Sequence, residues 1–332
     1  MLNTLIFGEK RDKIDLVYGN GRKEKLASIS NLFPQILSTK DLIEKKNELK
    51  DIEVIFSTWG MPKLTTEQLK CLPNLKAVFY AAGTVKGFAD ILLENDIIIV
   101  SAWAANAIPV AELASSEILL GLKGFFRNIR DSKNPQIRLN KSCFVGSGIY
   151  GEKVAIIGCG QVGRQVIKFL KNHTVELLLC DPYLSHEEAE KLGGRKVTLE
   201  EAFREAMVIS NHMPNLPETQ KLINRDLLQS MRKNAVFINT GRGASVDETA
   251  LCEILAERDD LSAVLDVTSP EPPQENSPLY TLPNVYMTSH IAGAVNDETQ
   301  RMADLLFEEY QLWEKGEKLH YQITKEMLAT MA

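Results

Sequence analysis

The sequence predicts an α/β protein of two domains, each a parallel sheet flanked by helices. Three observations carry that expectation. Short apolar runs alternate with amphipathic segments along the whole chain. The length, 332 residues, exceeds that of a typical single domain. One stretch, Lys153 to Asp181, sets strand, glycine turn, helix, second strand and terminal acid in the order a dinucleotide site requires.

That stretch organises the rest. Val154-Ala155-Ile156-Ile157 enters Gly158-Cys159-Gly160-Gln161-Val162-Gly163, an amphipathic segment carries Val166, Ile167 and Leu170, and Leu177-Leu178-Leu179-Cys180 stops at Asp181. Gly158 makes the tight turn, Gly160 lets a pyrophosphate approach the backbone, and Gly163 lets helix pack closely on strand. Free N–H groups of Gln161 and Val162 face the phosphates, where the helix dipole favours negative charge. Asp181 accepts hydrogen bonds from the adenosine ribose and repels a 2′-phosphate. Only Pro182 and Tyr183 follow it, so the cofactor expected is NAD rather than NADP. Glycine turns also serve as plain strand-to-helix connections; here the strand, the helix and the acid in register favour the cofactor.

Composition narrows the class. A hydrophobic fraction of 44% with 25% charged residues is ordinary for a globular protein, and a net charge of -6 provides no basic field for nucleic acid. Cys71, Cys143, Cys159, Cys180 and Cys252 are scattered, with no CxxC pair and no histidine at zinc spacing, so they read as reduced thiols and no metal site is expected. Met1 to Lys10 lacks a long apolar run and no later stretch reaches membrane-spanning length; a cytoplasmic location is the expectation.

In the first hundred residues, Leu5-Ile6-Phe7, Val54-Ile55-Phe56 and Ala77-Val78-Phe79 read as strands, and Asp41 to Leu49 and Thr65 to Leu72 as helices. Ser57-Thr58-Trp59-Gly60 and Tyr80-Ala81-Ala82-Gly83-Thr84-Val85 follow two of the strands, at carboxyl ends where ligands bind. Ala82 and Gly83 are expected to leave backbone N–H groups uncovered for a substrate carboxylate, and Trp59 is either a substrate contact or a core aromatic. Ile97 to Val100 is a further strand. From Pro109 to about Phe126 the pattern is helical, with Pro109 in the first turn, and the domain crossing falls there. Asn128 to Tyr150 reads as an irregular polar excursion that could embrace a partner subunit.

After Asp181 the alternation resumes. Ser185 to Leu192 and Leu199 to Ala206 read as helices, Met207 to Ser210 and Asn234 to Asn239 as strands, and Asp247 to Arg258 as a helix capped by Asp247. Ala263 to Leu265 and Val285 to Met287 complete the strands, and Asn296 to Trp313 is a helix that returns the tail to the first domain.

Three chemical candidates stand at strand ends: Arg242 in Asn239-Thr240-Gly241-Arg242-Gly243, Glu271 in Ser269-Pro270-Glu271-Pro272, and His290 in Ser289-His290-Ile291-Ala292-Gly293. Singly, each has a bland structural reading. Together they supply what a hydride transfer at a carbonyl carbon needs. A guanidinium binds a carboxylate in a two-pronged fashion and polarises the neighbouring carbonyl. An imidazole moves the proton, and a carboxylate on its other nitrogen fixes its tautomer. His212, near Pro214 at a strand end, reads as a cofactor-pocket residue.

The combination of the glycine turn, Asn239 to Ala244, Val246-Asp247-Glu248, Asp266-Val267 through Glu271-Pro272, and Ser289 to Gly293 resembles the D-isomer-specific 2-hydroxyacid dehydrogenase family. Ala81 to Gly87 and Asn106 through Glu112 extend the resemblance into the first half. It implies two Rossmann- or flavodoxin-like domains with the active site in the interdomain cleft, residues 1–105 plus 294–332 binding substrate and 106–293 binding NAD, commonly as a homodimer. By position, Arg242, Glu271 and His290 match the catalytic trio and Asp181 the ribose acid. Pro214, Thr219, Thr240 and Asp266 match cofactor contacts, Asp266 at the nicotinamide amide. Ser289 stands where proline is usual, and its expected consequence is a looser His290; the turn after Gly83 lacks the acid many members carry. The resulting expectation is an NAD-dependent enzyme interconverting a 2-oxo acid and a D-(R)-2-hydroxy acid. The alternatives are an NADH-sensing, corepressor-like binding protein and an NADP-linked reductase.

Overall fold

The computed structural model describes residues 1–328. The chain divides into two compact units, Met1–Asn106 with the chain from Ala294 onward, and Ala107–Gly293.

In the first unit, β1 (Asn3–Ile6), β2 (Asn31–Leu32), β3 (Val54–Ser57), β4 (Ala77–Tyr80) and β5 (Ile98–Ser101) run parallel in the order β2-β1-β3-β4-β5. That is the flavodoxin-like order. Every residue of β3 and β4 is buried, because helices cover both faces of a parallel sheet, and this is why both read as unbroken apolar runs. The helices expected from Asp41 and Thr65 are shorter than the sequence pattern: Thr39–Glu44 and Thr66–Leu69. The second starts where Thr65 accepts a bond from the Gln68 N–H, and it ends early because it buries no residue. Arg11–Val17 and Arg22–Ile29 are also helical, with Ile14, Val17 and Leu26 buried and Ile29 packed beside them, too few apolar positions in each for periodicity to stand out.

The second unit holds β6 (Lys153–Ile157), β7 (Glu176–Cys180), β8 (Arg195–Lys196), β9 (Val208–Asn211), β10 (Val236–Asn239), β11 (Ser262–Leu265) and β12 (Val285–Met287). All are parallel, in the order β8-β7-β6-β9-β10-β11-β12. Counted from β6 this is the doubly wound 3-2-1-4-5-6 arrangement with one strand added. Its order reverses between β6 and β9, and ligands bind at the carboxyl ends of the strands at such a reversal. The last strand, β13 (Gln322–Ile323), returns to the first unit and pairs antiparallel with β5.

Two expectations are corrected here. The helix expected from Pro109 spans Trp103–Leu122, so Pro109 lies inside it rather than in its first turn. The missing N–H forfeits one helical bond, but Ala111, Ala114, Ile118 and Leu122 bury a continuous apolar face beyond it and carry the helix through. The stretch from Asn128 to Tyr150 is not irregular throughout: Phe125–Ser132 and Pro135–Leu139 are helical. The first is anchored by buried Phe126, and the second starts at Asn134, whose side chain accepts from the Gln136 N–H at 2.9 Å.

Candidate active site

The glycine turn sits at the sheet reversal. Gly158 has φ +86°, and a Cβ there would lie 3.1 Å from the backbone of His212, so the ends of β6 and β9 pass against each other where only glycine fits. A Cβ on Gly163 would meet the Gly158 carbonyl oxygen at 2.1 Å, which fixes the helix Gln161–Leu170 hard against the turn. Gly160 is different: its Cβ would meet no protein atom within 4 Å. The first helical bond is Arg164 N–H to Gly160 C=O at 2.9 Å, so the N–H groups of Gln161, Val162 and Gly163 point out of the helix end. An open space beside three outward N–H groups fits a pyrophosphate. Asp181 accepts from the Cys159 N–H (2.7 Å) on one oxygen and the Tyr183 N–H (2.8 Å) on the other, leaving each oxygen a lone pair on the open side. The thiols of Cys159 and Cys180 are pushed up to about 12 by burial, and neither is poised for redox chemistry.

Beside the turn, His212 is neutral at physiological pH, burial holding its pKa down at about 4. Its two nitrogens lie 3.0 Å from Ser210 Oγ and 3.2 Å from Thr240 Oγ1. Thr219 Oγ1 lies 2.7 Å from the Pro214 carbonyl and accepts from the Leu216 N–H, closing the loop that carries Pro214.

Arg242 follows β10 on a turn clamped by a buried polar network. Asn211 donates to Asn239 Oδ1 (2.9 Å) and to Ser245 Oγ (2.8 Å), and Ser245 Oγ in turn donates to the Arg242 carbonyl (2.8 Å). A Cβ on Gly243 would fall 2.0 Å from the Thr268 carbonyl oxygen, so the Arg242 turn lies directly on the loop that leads to Glu271. Burial lowers the Arg242 pKa and the charge of Glu271 opposes that, which puts the two side chains in electrostatic reach.

Glu271 Oε1 is 2.5 Å from His290 Nδ1. A carboxylate has no proton to give, so Nδ1–H donates and Nε2 is left free. His290 has φ +61°, a left-handed backbone that costs a residue with a Cβ about 1–3 kcal/mol. The surrounding loop sustains it. Asp266, at the end of β11 and 3% exposed, accepts from Thr288 Oγ1 (2.6 Å) and the Ile291 N–H (2.8 Å) on one oxygen and from the Ala292 N–H (3.0 Å) on the other. The chain is therefore pinned on both sides of His290 through bonds that do not involve Ser289.

The structure brings Arg242, Glu271 and His290 together, with Asp266 beneath the loop. In the first unit, Trp59 is partly buried against both of that unit's apolar clusters. The expected pair of free N–H groups at Ala82 and Gly83 is corrected. The Ala82 N–H bonds the Tyr80 carbonyl at 2.9 Å and Ala82 is 1% exposed, because the chain doubles back immediately after β4. Gly83 alone stays open, its Cβ position meeting only Asn106 Nδ2 at 3.9 Å, while Ser101 Oγ lies 2.6 Å from its carbonyl.

Sequence reasoning missed Asn211, Ser245, Gly243 and Glu117. The first two carried a readable signal, a polar residue ending or following an apolar strand. Gly243 did not, since its constraint comes from Thr268, in a loop twenty-five residues later. Glu117 lies among the apolar positions of its helix, 7% exposed, with one carboxylate oxygen lacking any hydrogen-bond partner.

A doubly wound sheet with an open glycine turn at its reversal, and an acid at the end of the next strand, is the arrangement of a dinucleotide-binding domain. The sequence pattern of the family "D-isomer specific 2-hydroxyacid dehydrogenase, NAD binding domain" matches residues 117–292. The chain belongs to that family, and its cofactor is NAD. It is 34% identical over 275 residues to D-3-phosphoglycerate dehydrogenase of Methanocaldococcus jannaschii, a match covering 82% of this chain and 51% of that protein. With glyoxylate reductase of Thermococcus litoralis it shares 28% over 295 residues, 87% of this chain and 88% of the other. The chain thus spans about half the length of the phosphoglycerate dehydrogenases it matches. Among solved structures, a phosphoglycerate oxidoreductase from Rhizobium etli has the same fold, with a TM-score of 0.78 at 21% identity over 98% of this chain and 99% of that one.

Proposed function

We propose that the chain interconverts a 2-oxo acid and the corresponding D-(R)-2-hydroxy acid. The observation that carries the proposal is the 2.5 Å contact of Glu271 with His290 Nδ1, with Arg242 in electrostatic reach of the same carboxylate. NAD, when bound, supplies or accepts the hydride. His290 Nε2 gives a proton to the oxygen of the reduced carbonyl, or takes it from the alcohol in the reverse direction. Glu271 holds the ring in the tautomer that leaves Nε2 to the substrate and favours the imidazolium once it forms. Arg242 grips the substrate carboxylate and draws electron density from the adjacent carbonyl. Gly158, Gly160, Gln161, Val162 and Gly163 cradle the pyrophosphate, Asp181 holds the ribose, and Pro214, Thr219, Thr240 and Asp266 border the rest of the cofactor. Gly83, whose Cβ position stays open, and Trp59 are the first unit's candidate substrate contacts.

The relatives' names indicate the panel to test: NADH oxidation with glyoxylate, hydroxypyruvate and 2-oxobutyrate, and NAD reduction with 3-phosphoglycerate. His290→Ala is expected to lower kcat about 10²- to 10⁴-fold; full turnover in that variant refutes the acid-base role. Tight NADH binding with no turnover on any of these acids refutes the enzyme reading itself. We extend the proposal to a cytoplasmic homodimer. Phe125, Leu139, Val145 and Tyr150 are exposed at 42%, 75%, 79% and 89% along one segment, and a second copy covering them satisfies their apolar surface. Light scattering on the purified protein reads the subunit number.

A further inference from the structure

The buried carboxylate of Glu117 has no place in the chemistry above. It sits on the helix Trp103–Leu122, whose apolar face packs with residues of β9 to β12. Gly121, one turn on, approaches Val208 on β9 and Val236 on β10, both apolar. Tyr286 on β12 shares this layer, and its hydroxyl donates to the Phe126 carbonyl. The neighbouring Ser115 hydroxyl is buried and carries no charge. Glu112, on the same helix, is exposed. The charged group that bears on Glu117 is Asp266, whose negative charge opposes ionisation of Glu117. Two buried carboxylates whose charges bear on each other cannot both ionise cheaply. Asp266 receives three hydrogen bonds that favour its anion; Glu117 Oε2 receives none. The proton therefore resides on Glu117.

We propose that Glu117 is a positioning residue: it stays protonated in the folded chain, and its neutrality leaves Asp266 the single negative charge that clamps the Thr288–Ala292 loop and holds His290 in its left-handed conformation. The proposal rests on the role given to His290 only for its catalytic consequence; the clamp itself is independent of turnover. Burial and then Asp266 raise the Glu117 pKa to about 7. As pH rises through that value a second negative charge forms beside Asp266, and the bonds to the Ile291 and Ala292 N–H groups weaken.

The test is amide hydrogen exchange of Ile291 and Ala292 at pH 6 and 8.5, corrected for intrinsic exchange, in the whole protein and in Glu117→Gln. Protection in the unaltered protein is expected to fall about tenfold between the two pH values, the scale of one unit of proton affinity, and in Glu117→Gln to stay constant. The same fall in both proteins overturns the proposal. Infrared difference spectra give a second readout that needs no activity. A protonated carboxyl band is expected at pH 6, lost at pH 8.5 and missing from Glu117→Gln; its absence at pH 6 overturns the proposal too. Where a 2-oxo acid is turned over, kcat is expected to fall above pH 7 with a limb that Glu117→Gln removes, while KM for NADH changes little. An inactive protein with the exchange pattern intact sinks the enzyme reading and leaves the clamp standing.

Discussion

Two alanine substitutions three residues apart in the same turn, at Gly160 and Gly163, separate what the glycines do for the fold from what they do for the cofactor. At Gly163 a methyl group would sit 2.1 Å from the Gly158 carbonyl oxygen and 3.4 Å from Ile156 Cγ2. Ordinary carbon-oxygen contact needs the helix Gln161–Leu170 to move away by roughly 1 Å, in an interior where one methylene is felt. The turn cannot yield in the other direction, since Gly158 already lies against the His212 backbone. Gly163→Ala is therefore expected to destabilise by about 1–3 kcal/mol, read as a lower midpoint of urea unfolding without cofactor. At Gly160 the methyl would meet nothing within 4 Å, and φ -74° with ψ -156° is backbone that alanine adopts. Alanine is a poorer cap than glycine but restricts the unfolded chain; the two effects nearly offset, and stability is expected within about 0.5 kcal/mol of the unaltered protein. The methyl occupies the space assigned to the pyrophosphate, so NADH affinity, read by fluorescence titration, is expected to weaken about ten- to a hundredfold, or about 1.4–2.8 kcal/mol. Unchanged NADH binding in Gly160→Ala, or undiminished stability in Gly163→Ala, would refute the division of labour.

Three further outcomes follow from the same geometry. Glu271→Gln keeps the shape of the pair but not its charge; kcat is expected to fall at least tenfold with little change in NADH affinity, and stopped-flow reduction with both readouts checks it. Asp181→Ala removes the acid that repels a 2′-phosphate, so the NADH/NADPH ratio of kcat/KM is expected to drop by at least tenfold, and an unaltered ratio would place cofactor choice elsewhere. Unfolding stability should carry the mark of Glu117. Its carboxyl, raised from an ordinary 4.5 to about 7, keeps its proton in the folded chain where the unfolded chain has lost it, so its contribution falls as pH rises between those values and is level above. The span is worth about 3 kcal/mol at 1.36 per tenfold in proton affinity. His212, lowered from 6.5 to about 4, acts with the opposite sign over nearly the same range, stability rising with pH. The two mask each other in the unaltered protein. The difference between it and Glu117→Gln, measured by urea unfolding at pH 5 and pH 8.5, isolates the first; a difference that does not change with pH counts against a buried, protonated Glu117.

Much of the molecule was legible in the chain itself because its signals are local. A buried parallel strand is an apolar run, and a phosphate turn is glycines at fixed spacing before a helix, so the glycine turn, Asp181, Arg242, Glu271 and His290 all stood out in the sequence. Capping is equally local, and Asp247 does accept from the Ala250 N–H at 3.2 Å. Helix length was less legible, because whether Thr66–Leu69 or Trp103–Leu122 continues depends on what it packs against rather than on its own residues. The free N–H group assigned to Ala82 was lost the same way, to a carbonyl two residues back in a turn no pattern announces.

What the sequence by itself determined is the set of chemical groups and the elements that carry them. What only the tertiary structure decided is which groups meet: Glu271 with His290 across nineteen residues, Gly243 with Thr268, and Asp266 with both flanks of the histidine loop. Such meetings are fixed by strand order and by how closely helix and sheet pack. Burial then sets the charge each group carries, and neither effect has a signature within a few residues of chain.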